Sequence, residues 1–182
     1  MVPASAPEPG LLYRVDPGNA QVSFDLRATG HTVHGQTDHV TGQVRAAKTE
    51  EAGWELEGEV RVTAASLETG NQRRDRKMRK TSLVVESHPE IVFVPKVLLP
   101  GKAGEEGSFI LGGALTIRGI TLPVTIPVSV EERDGGRLRV AGGTDLRWAD
   151  YGVPNPSFLF LRVRPTLRIR FQVDWVPEEG NS

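Results

Sequence analysis

Trp54-Glu55-Leu56-Glu57-Gly58-Glu59-Val60-Arg61-Val62-Thr63-Ala64 alternates residue by residue, with apolar or small side chains on one parity and charged or hydroxyl side chains on the other. A period of two describes an extended strand with one face toward a core and one toward water, as in antiparallel sheets. The stretch Thr166-Leu167-Arg168-Ile169-Arg170-Phe171-Gln172-Val173-Asp174-Trp175 repeats the pattern near the other end of the chain. Shorter copies run through Val22, Phe24 and Leu26, through Ile91 and Phe93, and through Phe109, Leu111, Leu115 and Ile117. Further copies lie at Val124, Ile126, Val128 and Val130, and at Leu138, Val140, Leu146 and Trp148.

Turn signals punctuate these runs: Asp16-Pro17-Gly18-Asn19, Pro100-Gly101, Arg118-Gly119 and Asp134-Gly135-Gly136. Evenly spaced short strands of this kind predict an all-β sandwich or barrel, and periodicity does not choose between them. One segment breaks the pattern. Asn71 to Leu83 carries Arg73, Arg74, Arg76, Lys77, Arg79 and Lys80 and opens on a good N-cap, which predicts a single short helix across one end of the sheet.

With 182 residues the chain fits one domain, expected over residues 10–177 with flexible ends at 1–9 and 178–182. A domain of that size buries roughly 70% of its unfolded surface, so a core, or a core with an internal cavity, needs no disulfide. Cysteine is absent, which removes disulfides, thiolate metal sites and a Cys nucleophile together. A formal net charge of −1 gives no global attraction to nucleic acid. No run approaches the ~18 apolar residues of a membrane-spanning helix. Met1 to Gly10 lacks the apolar region of an intact signal peptide, although Ala4-Ser5-Ala6 has the small-x-small form of a cleavage site.

Three constellations invite a chemical reading. His31-Thr32-Val33-His34, with His39 five residues on, has ligands for zinc, but in an extended chain His31 and His34 point to opposite faces. No metal site is expected there. The basic run at 73–80 has the charge to grip phosphate. The simpler reading is a solvated helix face on which Asp75 pairs with Arg79 at i, i+4. No aromatic residues interleave with these cations, so a base-stacking surface is not expected. Trp148 to Pro156, with two prolines and Gly152, excludes a regular ladder, and Ser157-Phe158-Leu159-Phe160-Leu161 after it has no alternation. That run reads either as a strand buried on both faces or as the lip of an apolar cavity. No nucleophile elbow, phosphate-cradling Gly-rich loop or His-Glu-x-x-His is present, and no enzyme is expected.

Several pieces, in order, resemble the YceI-like family of lipocalin-like polyisoprenoid-binding proteins. They are Tyr13-Arg14-Val15-Asp16, Ala65-Ser66-Leu67-Glu68-Thr69-Gly70-Asn71 leading into Arg74-Asp75 and Met78-Arg79, and His88-Pro89-Glu90-Ile91-Val92-Phe93. Gly113-Ala114-Leu115-Thr116-Ile117-Arg118-Gly119-Ile120-Thr121 and Asp150-Tyr151-Gly152 complete the set. The resemblance covers about residues 11–176. His-Thr-Val-His-Gly at 31–35 looks like one branch of the family. Where the family often has Gly-x-Phe-x-x-Phe-x-Gly, this chain has Gly35, Thr37, Val40 and Gly42, and Leu83 replaces a phenylalanine common after the helix.

The resemblance implies an extended eight-stranded antiparallel lipocalin-like barrel, with its helix around 71–83, enclosing a long lipid. The expected function is non-catalytic binding, storage or transport of a polyisoprenoid or fatty-acyl-type lipid, without a cofactor. The alternative is a solid-core barrel acting as a structural or protein-interaction module. The inward set expected to meet the lipid is Phe24, Leu26, Val60, Val62, Phe93, Leu115, Ile117, Leu146, Phe158 and Phe160, with His31, His34 or Arg74 at a head group. Neither nucleic acid nor stable membrane insertion is expected, and a homodimer is kept open. Family members are typically bacterial and often exported, while the chain as given carries no export signal, so periplasm and cytoplasm both stand.

Overall fold

A computed structural model describes residues 6–102, 105–156 and 162–178. Nine strands form one antiparallel sheet: β1 Leu12–Ala28, β2 His31–Thr37, β3 Val40–Lys48, β4 Trp54–Thr63, β5 Glu90–Pro100, β6 Ser108–Ile117, β7 Ile120–Arg133, β8 Arg137–Arg147 and β9 Val163–Glu178. β9 pairs back onto β1, so the sheet closes, while the outer edge of β2 carries a single bridge, Gln36 to Glu68. The nine strands fill eight places. β3 pairs with the start of β1 (Tyr13 opposite Val44) and β2 with its end (Phe24 opposite Gly35), so β2 and β3 form one wall position bent at Asp38-His39. Thr37 makes the bend: it is buried, shares a hydrogen bond with Ser66 at 2.6 Å, and accepts one from the His39 N–H at 3.0 Å.

Asp16-Pro17-Gly18-Asn19 does not turn the chain, contrary to expectation. Residues on both sides of it pair with β9, Val15 with Trp175 and Ala20 with Val173, so three extra residues bulge out of a continuous strand. The bulge tolerates Pro17, which has no N–H to give the ladder. It is tied by Asn19 to Asp16 at 2.8 Å and by Arg137 to the same carboxylate. The other three turn signals do join strands.

The barrel has two unlike ends. At the hairpin end lie the β3–β4, β5–β6 and β7–β8 connections; at the helix end lie β1–β2, β6–β7 and the segments 64–89 and 148–156. The α-helix α1, Gln72–Lys77, starts where Asn71 accepts a hydrogen bond from the Arg74 N–H at 3.0 Å, and a wider π turn, Met78–Ser82, continues it. The hairpin end is the more closely packed. Tyr13, Ala46, Trp54, Leu98, Phe109, Leu111, Ile126, Val128, Val130 and Leu138 pack into one buried cluster, with the Trp54 and Phe109 rings edge to face at 5.6 Å. Residues ahead of β1 also belong to this end: Pro7 is buried, its carbonyl accepts from Trp54 Nε1 at 3.2 Å, and the Glu8 N–H donates to the Tyr13 hydroxyl at 3.0 Å.

Candidate functional site

Eight strand positions are just enough for side chains to fill a barrel or to leave room for one small ligand. Here room is left. A cavity of ≈ 340 Å³ runs inside the barrel, in a measure where one water needs about 10–15 Å³. Its walls are the inward parities foreseen from the alternation: Phe24 and Leu26 from β1, Val60 and Val62 from β4, Phe93 from β5, Leu115 and Ile117 from β6, and Leu146 from β8. Phe158 and Phe160 lie outside the described residues.

The sequence singled out only part of the lining. The β9 face, Leu167, Ile169, Phe171, Val173 and Trp175, also lines the cavity, and its strict alternation was the available signal. Met78, Ser82 and Leu83 from the helical segment and Trp148, Tyr151 and Val153 from the following loop close in at the helix end. No periodicity betrays these, because a basic run hides two apolar residues and a Pro-rich loop has no period.

Two glycines set the width of the cavity. Gly35 sits opposite Phe24, and a Cβ there would stand 2.2 Å from the ring's Cε1; at Gly113 a Cβ would stand 2.7 Å from the ring of Phe93. Each ring therefore lies flat along the wall where any larger residue would lift it into the lumen.

No charged side chain lines the cavity among the described residues; its polar members are Ser23, Ser82, Thr144, Tyr13 and Tyr151. Burial pushes both tyrosine hydroxyls above their ordinary pKa. Such a surface offers dispersion and exclusion of water.

The polar residues expected at a head group lie elsewhere. Arg74 is held by Thr69, its Nε donating to the hydroxyl at 2.8 Å and its Nη2 to the carbonyl at 3.1 Å. Asp75 does not pair with Arg79. It is buried, 5% exposed, and accepts from the Thr69 N–H at 3.0 Å and hydroxyl at 2.5 Å, while Arg79 donates to the Leu67 carbonyl at 3.0 Å. The Thr-Gly-Asn-x-x-Arg-Asp spacing is therefore a knot that fixes the helix, because loop hydroxyl and carbonyl satisfy groups that burial would otherwise leave unpaired. His31 is exposed at the rim, in the same parity as Val33 and Gly35. His34 faces outward, with Nδ1 2.5 Å from Asp25 Oδ1, and Arg170 donates to the same carboxylate at 2.5 Å. Burial pushes the Asp25 carboxyl up, but the hydrogen bonds and charges of His34 and Arg170 outweigh it and hold the pKa below the usual carboxylate value. His31 and His34 thus point away from each other, and no group of three potential metal ligands occurs among the described residues.

A family model for the YceI-like domain matches residues 13–175. Three solved structures share the fold at low identity. The crystal structure of Burkholderia cenocepacia BcnA is 19% identical, with a TM-score of 0.72 over 88% of this chain and 98% of that one. A polyisoprenoid binding domain from Saccharophagus degradans, implicated in plant cell wall breakdown, is 14% identical, with a TM-score of 0.70 over 91% and 98%. The Campylobacter jejuni YceI protein is 16% identical, with a TM-score of 0.57 over 76% and 82%. No curated protein matches the chain.

Proposed function

The chain belongs to the YceI-like family, and on that premise we propose that it binds one long apolar lipid of the polyisoprenoid or fatty-acyl type inside the barrel and does no chemistry on it. The observation that carries this reading is the uncharged lumen. Along β1 the lining runs from Leu26 to Tyr13, which, with the bulge discounted, is roughly 33 Å of strand and about 25 Å of axis at ordinary barrel tilt. A slender apolar chain fits such a space; a compact polar metabolite would leave its own groups without partners.

Magnitudes make anchors unnecessary. Each buried CH₂ yields about 0.8 kcal/mol, so a chain of ~40 carbons has a gross gain of ~30 kcal/mol. That exceeds the ~20 kcal/mol at which affinities saturate, and ordering the chain takes back much of it. Polar groups at the rim would set orientation and head-group choice. Phe24, Leu26, Val60, Val62, Phe93, Leu115, Ile117 and Leu146 are the proposed contacts, with His31 the rim residue best placed to meet a head group.

The solid-core reading, a barrel serving only as an interaction module, expects native packing density throughout. The lumen departs from that over its whole helix-end half. Native mass spectrometry of freshly purified protein, before and after organic extraction, tests the proposal. A co-purifying species that extraction removes and an added prenyl alcohol replaces is expected. Absence of both would overturn the carrier reading.

A further inference from the structure

The barrel ends carry opposite charge, although the chain as a whole is nearly neutral. At the hairpin end each connection is net acidic: Glu50 and Glu51 between β3 and β4, Glu105 and Glu106 against Lys102 between β5 and β6, and Asp134 between β7 and β8, with Lys48, Arg133 and Arg137 at the adjoining strand ends. At the helix end the connections are basic. Arg73, Arg76 and Lys80 are exposed on the helical segment, Arg118 forms the β6–β7 turn, and Arg27 and Arg164 are exposed beside the β1–β2 and β8–β9 connections. None of these six cations has an ion-pair partner among the described residues.

Acids at the helix end do little to offset them. Asp75 is buried under Thr69, Glu90 is paired with Arg61, and Asp150 stands beside Arg147 at 3.9 Å. Glu68 and Glu86 remain exposed. A second observation falls at the same end. Ile120, 37% exposed, projects next to Arg118, and the apolar lining of the cavity reaches this end through Met78, Leu83 and Trp148. Exposed cations around an apolar residue and an apolar lumen are the combination that suits an anionic bilayer surface, where charge attracts and the apolar groups enter the interface.

We propose that the helix end is a docking face for an anionic lipid bilayer, which turns the cavity toward the membrane that supplies or receives its ligand. This rests on the carrier reading above. The acidic hairpin end is repelled by the same surface, so orientation follows from the charge distribution without a specific receptor.

Co-sedimentation with vesicles tests it, using equal parts phosphatidylglycerol and phosphatidylcholine against phosphatidylcholine alone. The protein is expected to bind the anionic vesicles at about 0.1 M salt, to leave them at about 1 M, and to ignore the neutral ones. Each cation near such a surface is worth roughly fivefold, so Arg73→Gln/Arg76→Gln/Lys80→Gln should weaken binding on the order of a hundredfold. Arg118→Gln/Arg164→Gln, on different segments, should weaken it by about twentyfold and serves should the triple variant misfold. Glu50→Gln/Glu51→Gln/Glu105→Gln should not weaken it. The proposal is overturned by a wild-type protein that does not bind anionic vesicles, by cation variants that bind undiminished, or by retention on polyglutamate instead of vesicles, which would make the partner an acidic protein. Uptake of a prenyl alcohol by the same variants, read by native mass spectrometry, should stay at the wild-type level. Loss of uptake by the wild type itself would sink the carrier reading and leave the vesicle result to be judged apart.

Discussion

Trp54 and Phe24 are inward-facing aromatic residues at opposite ends of one barrel, yet Trp54 is 3% exposed and Phe24 is only half-buried. Trp54 meets Phe109 edge to face, Leu98 and Ala46, and Pro7 accepts its N–H. Phe24 lies flat on Gly35 and otherwise faces the lumen. The same inward alternation therefore builds a close-packed layer, the plug, around Trp54, Phe109 and Val128 at the hairpin end and a hollow above it, which the rest of that cluster, from Tyr13 to Leu138, helps to line. What differs is the partner across the barrel: large side chains interdigitate in the plug, whereas glycines and flattened rings leave the centre vacant in the hollow. Stability and ligand capacity divide between core residues that do not reach the cavity and residues that line it, so a substitution at Trp54, Phe109 or Val128 should affect the first without the second.

The largest break in this contrast should come from truncating each aromatic in turn. Trp54→Ala or Phe109→Ala should cost about 4 kcal/mol in denaturant unfolding, because the plug cannot collapse around the loss. Phe24→Ala should cost under about 1.5 kcal/mol, since one side of its ring already has no packing partner. Equal costs would mean that the hollow is packed like the plug.

Next in size are insertions. Val128→Phe, at a buried position that does not line the cavity, overpacks the core and should destabilise by about 2 kcal/mol. Leu115→Trp grows into the lumen and should leave unfolding nearly unchanged while excluding an added prenyl chain in native mass spectrometry. Gly35→Ala should reduce ligand uptake at a cost of about 1 kcal/mol, by lifting the Phe24 ring off the wall.

The smallest effect concerns pH and belongs to the plug end. Arg139 donates to Asp174 through two bonds, at 2.7 and 2.9 Å. Those bonds, opposed by burial and aided by the charges of Arg139, Arg137 and Arg133, hold the Asp174 carboxyl below its ordinary pKa of 3.8. A depressed folded pKa stabilises the protein above the unfolded value and the stabilisation is lost as pH falls through the folded one. Thermal melts of Asp174→Asn should therefore lie about 2 °C below wild type at pH 7, and the difference should close as pH falls below 3.8. A constant difference across that range would remove Asp174 from the acid response.

Much of the fold was legible. Strict alternation at 54–64 and 166–175 named the inward face, and all eight described members of the expected set do line the cavity. Closure of the sheet and its eight-place count came from family resemblance, since period two is the same in a sandwich and a barrel. The 16–19 segment misled because Pro and Gly signal a turn and a bulge equally, and only pairing with β9 on both sides distinguishes them. Arg74 and Asp75 misled for a different reason. Charged residues on a short helix read as solvated from sequence, and nothing local reveals that a Thr69 loop folds over them.

The hollow itself is tested most directly by calorimetric titration of the organically extracted protein with a prenyl alcohol, beside Leu115→Trp. One saturable site with a large negative heat-capacity change, abolished in Leu115→Trp, is the predicted result, because apolar burial carries that signature. No saturable binding, or binding that the tryptophan leaves intact, would contradict a ligand in the lumen.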